Sequence, residues 1–138
     1  MINQQKLHFS TTGRGTYNIT KQITAAIKKS DIKNGLCNLF VQHTSASLIL
    51  CENADPDVRE DLDAYMAKLV KDGDAAYKHT DEGPDDMAAH IRTILTESSL
   101  SLPIKDGNCD LGIWQGIFLW EHRTHPYTRS IAVTIMGE

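Results

Sequence analysis

The chain has 138 residues, of which 41% are apolar and 23% charged, and a formal net charge of −4. That suffices for one domain with a substantial core, spanning residues 1–138, and the acidic balance gives no electrostatic footing for nucleic acid or an anionic membrane. No opening apolar leader and no run of transmembrane length is present, so a cytoplasmic protein is expected, with Cys37, Cys51 and Cys109 as free and mostly buried thiols.

Taken in order, Lys6 to Ser10 alternates and predicts a strand, and Thr11 to Gly15 is turn chemistry. Ile19, Ile23, Ala26 and Ile27 follow helical spacing, and Asn34-Gly35 turns the chain. From Leu36 the period becomes two: Cys37, Leu39, Val41 and His43 share the more apolar face. Leu48 to Cys51 is a second apolar run. Asp55-Pro56 then predicts a helix start, with Val58, Leu62, Tyr65, Met66 and Leu69 as its buried stripe. After Ser99 the pattern is strand-like to the end, with a hairpin turn at Lys105 to Asn108. Arg129 falls in phase with Ile131, Val133 and Ile135. The sum is an α+β sandwich with a mainly antiparallel sheet and packed helices.

The chemistry concentrates between His79 and His90, where two histidines bracket four carboxylates. Gly83-Pro84 predicts a helix start, with Asp85 and Asp86 in a first turn that favours negative charge. Asp86 and His90 then share one face, and Met87, Ile91, Ile94 and Leu95 a neighbouring apolar one. With His43 at the end of its strand, His43, His79 and His90 are the inventory of a three-histidine site with an open position. Zinc suits imidazole best, with magnesium the other divalent candidate. Asp86 is a fourth ligand, an orienting group or a proton carrier. The bland reading of the same histidines is that they are hydrogen-bonded structural residues.

Glu52 and Glu121 end strands and are further candidate acids or bases. Ser45 and Ser47 lie near His43, but no nucleophile elbow accompanies them. Arg123 is a candidate anion contact, and no nucleotide-binding glycine loop is present.

Three ordered stretches carry a resemblance. His43-Thr44-Ser45-Ala46-Ser47-Leu48 with Glu52-Asn53 and Asp61 is the first. Asp85-Asp86-Met87 with Ala89-His90-Ile91 and Ser98-Ser99-Leu100 is the second. Gly112, Trp114-Gln115-Gly116-Ile117 and Glu121-His122-Arg123 make the third. Together they resemble the YjbQ-like family over nearly the whole chain. Ala88 stands where that family usually has proline, Ile113 where it has threonine, and Trp120 where it has a smaller residue.

The resemblance implies a homotrimer and a secondary thiamine-phosphate synthase activity on small phosphorylated substrates. It also implies a metal or anion site at His43, His79 and His90. Ser45, Ser47, Asn53, Gln115 and Arg123, which stand in the motifs, are the candidate substrate contacts, and Asp86, Glu52 and Glu121 the candidate catalytic carboxylates. A metal-dependent hydrolase of a small phosphate or ester and a non-catalytic trimeric binding protein are the alternatives.

Overall fold

Why residues apart in sequence meet at one helix follows from how two sheets are stacked. The computed structural model describes residues 1–138. Its strands are β1 (Ile2–Thr11), β2 (Gly15–Asn18), β3 (Gly35–Val41), β4 (Ala46–Glu52), β5 (Ser99–Lys105), β6 (Asn108–Cys109), β7 (Gln115–Glu121) and β8 (Tyr127–Gly137). The helices are α1 (Thr20–Ser30), α2 (Pro56–Leu69) and α3 (Asp86–Ile94). The larger sheet runs β1-β8-β3-β5-β6 and the smaller β2-β7-β4, and every pairing is antiparallel. This is the expected α+β sandwich.

Alternation explains the stacking. Cys37, Leu39 and Val41 from β3 and Ile131, Val133 and Ile135 from β8 point inward, against Leu48, Ile117 and Leu119 of the smaller sheet. Ile23, Ala26 and Ile27 of α1 complete that core. Each fully buried aliphatic side chain contributes about 1.5–3 kcal/mol of transfer free energy, so this layer holds the fold. The turn at Asp106-Gly107 has φ of 50° and 78°, the primed geometry that matches strand twist. No helix is long and apolar enough to cross a membrane.

The outer face of the smaller sheet carries α2 and α3. The α2 start is as read from sequence: Pro56 opens it and the Asp55 carboxylate accepts the Asp57 amide at 2.9 Å. Its stripe is narrower than expected, because the helix rests on the sheet by one edge. Leu62 and Met66 join Val70, Ala88 and Trp120, while Tyr65 and Leu69 stay exposed. Ala88 and Trp120, two departures from the family pattern, thus share one cluster, the small side chain beside the large one.

The third helix begins at Asp86, two residues after Pro84. The reason lies in Asp85, whose carboxylate is drawn to Arg123 and the Thr124 amide and does not cap the helix. Ala88, Ala89, Arg92 and Thr93 form the buried face. Met87 and Ile91 are half-buried and Ile94 exposed, so the apolar stripe read from sequence lines a groove, not the core.

Candidate functional site

The loop from Val70 to Pro84 returns His79 to the start of α3. Gly73, at φ 62°, donates its amide to the Pro84 carbonyl at 2.9 Å, and the Tyr77 hydroxyl donates to the Lys71 carbonyl at 2.8 Å. With the loop so closed, His79 Nε2 lies 2.7 Å and His90 Nε2 3.2 Å from the same oxygen, Oδ2 of Asp86. The three ligand atoms all lie within 4.8 Å of one another. Four ligands around a zinc ion at 2.0–2.1 Å stand about 3.3 Å apart, so this donor set fits such an ion with a small shift of His79.

Asp86 is buried, whereas His79 and His90 are 45% and 33% exposed, which leaves room for a further ligand. Its other oxygen, Oδ1, receives Arg123 Nη1 at 2.9 Å. Burial opposes ionisation of Asp86, but the His79 bond, Glu82 and the Arg123 charge together hold its carboxyl below the usual range. This favours the charged carboxylate, the form that could ligate a metal. Each of the three Arg123 nitrogens is engaged: Nη1 with Asp86, Nε with Asp85 at 2.8 Å and Nη2 with the Glu82 carbonyl at 2.9 Å. Its first role in the structure is to aim the carboxylates.

Two cavities flank the cluster. One of about 370 Å³ reaches His79 along Gly73, Tyr77 and Thr80. The other, about 260 Å³, reaches His90 and is walled by Met87, Ile91 and Ile94 with His43, Thr44 and Ser98 at its polar side.

The other candidates fall elsewhere. His43 lies outside the three-residue cluster; its Nε2 accepts the Ser130 amide at 2.7 Å. Glu52, Asn53 and Gln115 sit at the far end of the β4–β7 ladder, where Glu52 pairs Gln115 while Ala46 pairs Glu121. Six residue-to-residue steps separate those ends, about 20 Å. There Glu52 accepts the Asp55 amide at 3.2 Å, and Asn53 borders a separate cavity with Asn18, Thr20 and Lys21. Neither cavity at the histidine cluster includes Ser45 or Ser47.

The profile of the family described as UPF0047 protein YjbQ-like matches residues 5–138. The chain belongs to the YjbQ-like family. A UPF0047 protein of Synechocystis is 48% identical over 99% of this chain and 92% of its own length. The YjbQ protein of Salmonella typhimurium is 44% identical over the whole of both. Among solved structures, a family protein of Clostridium acetobutylicum superposes with TM-score 0.87 at 32% identity, covering 96% of this chain and 99% of that one. A YbjQ-like protein of Sulfolobus solfataricus gives 0.86 at 26% identity with complete coverage of both.

Within the family's third motif, three consecutive residues serve three places. Arg123 aims the cluster carboxylates. Glu121 is fully enclosed, with Arg129 Nε on Oε1 at 2.8 Å, Arg129 Nη2 on Oε2, and the Thr11 hydroxyl on Oε1 at 2.7 Å. No cavity reaches it, and its place is that of a counter-ion to Arg129. The same guanidinium holds Ser45 through its hydroxyl at 2.9 Å and its carbonyl at 3.2 Å. Arg129 was absent from the residues singled out for chemistry, although its position in phase with Ile131 and Val133 was the signal that it faces inward.

His122, also missed, joins a buried chain of hydroxyls. The Thr96 hydroxyl donates to Ser47 Oγ at 2.7 Å and lies 2.8 Å from the Arg92 carbonyl. Ser47 Oγ in turn stands 2.8 Å from His122 Nε2. His122 Nδ1 is buried without a partner.

Burial, then the charges of Arg92, Arg14 and Arg129, push the His122 pKa down to about 3. An unfolded histidine titrates near 6.5, so between these values the unfolded chain binds a proton that the native one refuses. Stability is full above about 6.5 and falls by about 1.4 kcal/mol per pH unit as pH drops toward 3. Asp85 adds to the loss below about 4: burial opposes its ionisation, but its Arg123 and Thr124 bonds bring it to about 2. Urea unfolding between pH 7 and 4 is expected to show this slope, flattened in His122→Gln, which keeps a hydrogen-bonding amide for Ser47. An equal slope in that variant would remove His122 as the cause.

Proposed function

We propose that the protein is a metal-dependent enzyme acting on a small phosphorylated substrate, with His79, Asp86 and His90 as the protein ligands. The convergence of both Nε2 atoms on Asp86 Oδ2 carries this reading. Two nitrogens and one carboxylate favour zinc; magnesium, which prefers oxygen ligands and retained waters, is the poorer fit. A bound divalent ion would supply Lewis acidity toward a phosphoryl oxygen and an acidified water. The chain's own contribution is orientation. Arg123 fixes the Asp86 carboxylate, and Asp86 fixes the planes of both imidazoles. Glu82, 3.8 Å from His79 and largely exposed, is placed to take up a released proton.

Hydrolysis of a phosphate ester is the simplest outcome. The thiamine-phosphate synthase reaction expected from the resemblance is the second reading. It is favoured by the two cavities, one at His79 and one at His90, which would seat two substrates. Against it stands the charge of Arg123, which is already paired with Asp85 and Asp86 and is poorly placed to serve as a diphosphate cradle. A homotrimer belongs to the same proposal, supported by Ile113 and Trp114, which are 84% and 59% exposed.

The test uses zinc-loaded protein with p-nitrophenyl phosphate in one arm, and thiazole phosphate plus pyrimidine diphosphate in the other. Zinc-dependent release of nitrophenolate, abolished in His90→Ala, supports the hydrolase; thiamine phosphate formation supports the synthase. Zinc bound without turnover in either arm would leave a binding protein. Light scattering of the same sample is expected to give three chains, and a stable monomer would contradict the assembly.

A further inference from the structure

The groove beside His90 ends at a histidine whose two nitrogens are already assigned. His43 Nε2 accepts the backbone amide of Ser130 at 2.7 Å, so in the neutral ring the proton must sit on Nδ1. Nδ1 has no partner in the protein, is not enclosed, and belongs to a ring that lines the groove. Ligation of a metal by Nδ1 would require stripping that proton while Nε2 went on accepting, which gives an imidazolate. His43 is also outside the cluster of ligand atoms formed by His79, Asp86 and His90.

From this geometry we infer that His43 is a substrate-binding donor and not a metal ligand: its Nδ1–H receives an oxygen of a ligand whose anionic group sits on the metal, and the ligand's ring lies along Met87, Ile91 and Ile94. The inference rests on the proposed metal site and narrows its substrate to small aryl or heteroaryl phosphates and phosphonates. The volume of about 260 Å³ suits a single ring, and three apolar side chains on one wall suit its face. Burial, then the Arg129 charge, lowers the His43 pKa against the opposing pull of Glu121, which keeps the ring neutral and the donor fixed.

Two phosphonates test this without turnover: phenylphosphonate and methylphosphonate, titrated calorimetrically into the zinc-loaded protein. Phenylphosphonate is expected to bind about tenfold more tightly, from ring burial. Two substitutions isolate the donor. Asparagine places an amide N–H near the position of Nδ1 and leucine places none, while both equally deprive the Ser130 amide of Nε2. Relative to wild type, His43→Leu is expected to lose about tenfold in phenylphosphonate affinity and His43→Asn only a small part of that, with zinc content unchanged in both. In the wild type, nitrogen-15 spectra are expected to show His43 protonated at Nδ1 and its signal displaced by phenylphosphonate, a readout independent of how the variants fold.

Loss of zinc in His43→Leu would make His43 a ligand and overturn the inference. Equal binding of the two phosphonates, equal affinity in the leucine and asparagine variants, or a His43 protonated at Nε2 would each do the same while leaving the metal site standing. Failure of the wild type to bind zinc at all would overturn the metal site and this inference with it.

Discussion

Replacing Glu121 by alanine is expected to destabilise the fold by about 3–5 kcal/mol, because it leaves the Arg129 guanidinium charged in a dry interior. Both side chains are nearly inaccessible, at 5% and 0% exposure, so water cannot replace the lost carboxylate. The alanine also strips the Arg123 amide of its acceptor and leaves the Thr11 hydroxyl only the longer bond to the Tyr127 carbonyl, at 3.2 Å. Urea unfolding near pH 7 measures the loss. The double variant Glu121→Leu with Arg129→Met is expected to recover much of it, since an apolar pair needs no partner charge. If the single variant loses under 1 kcal/mol, the pair is not the interior lock that its geometry describes.

Replacing Asp86 by asparagine is expected to weaken zinc binding by at least about a hundredfold, beyond what loss of an orienting group alone produces. The substitution keeps the side chain's shape but removes the charge on which both imidazoles converge. It also turns one arm of Arg123 toward an uncharged partner, although Asp85 still holds Nε. Stability should therefore change less than metal affinity. Competition against a chromophoric chelator measures the affinity, with His8→Ala as control, its ring lying in β1 against Ser130. Unchanged zinc affinity in Asp86→Asn would exclude this carboxylate as a ligand.

The residues that were legible are those whose partners are near in sequence. Asp55 and Pro56 announce α2 because a cap and a first-turn proline act within three residues. Asp86 and His90 are one helical turn apart, so helical spacing alone brings them together. The pairing of Arg123 with Asp85 and Asp86 is not legible in the sequence, because nothing local shows that the residues after β7 meet the start of α3. Alternation predicts His43 on the inward face of its strand, but β3 stops at Val41 and His43 stands two residues beyond it, half-buried at the groove beside α3. What alternation cannot supply is the β3–β8 register, Val41 opposite Ile131, which carries the Ser130 amide to Nε2. Glu121 and Arg129 show the same limit: Arg129 was in phase with the core, but its partner is fixed only when β7, β8 and β4 have stacked.

The β1–β8 ladder sets how quickly this protein reaches its native state. It joins Thr11 to Tyr127, 116 residues apart, and Gln4 to Thr134, 130 apart. Closing such loops spends chain entropy before any pairing is gained, so refolding belongs on the millisecond-to-second side of the scale. His79 and Asp86, by contrast, are separated by only seven positions. Their loop can close in well under a microsecond, so the three ligand side chains can meet transiently long before the sheet is complete. A metal present during synthesis would then encounter its ligands early but be held firmly only after β7 delivers Arg123.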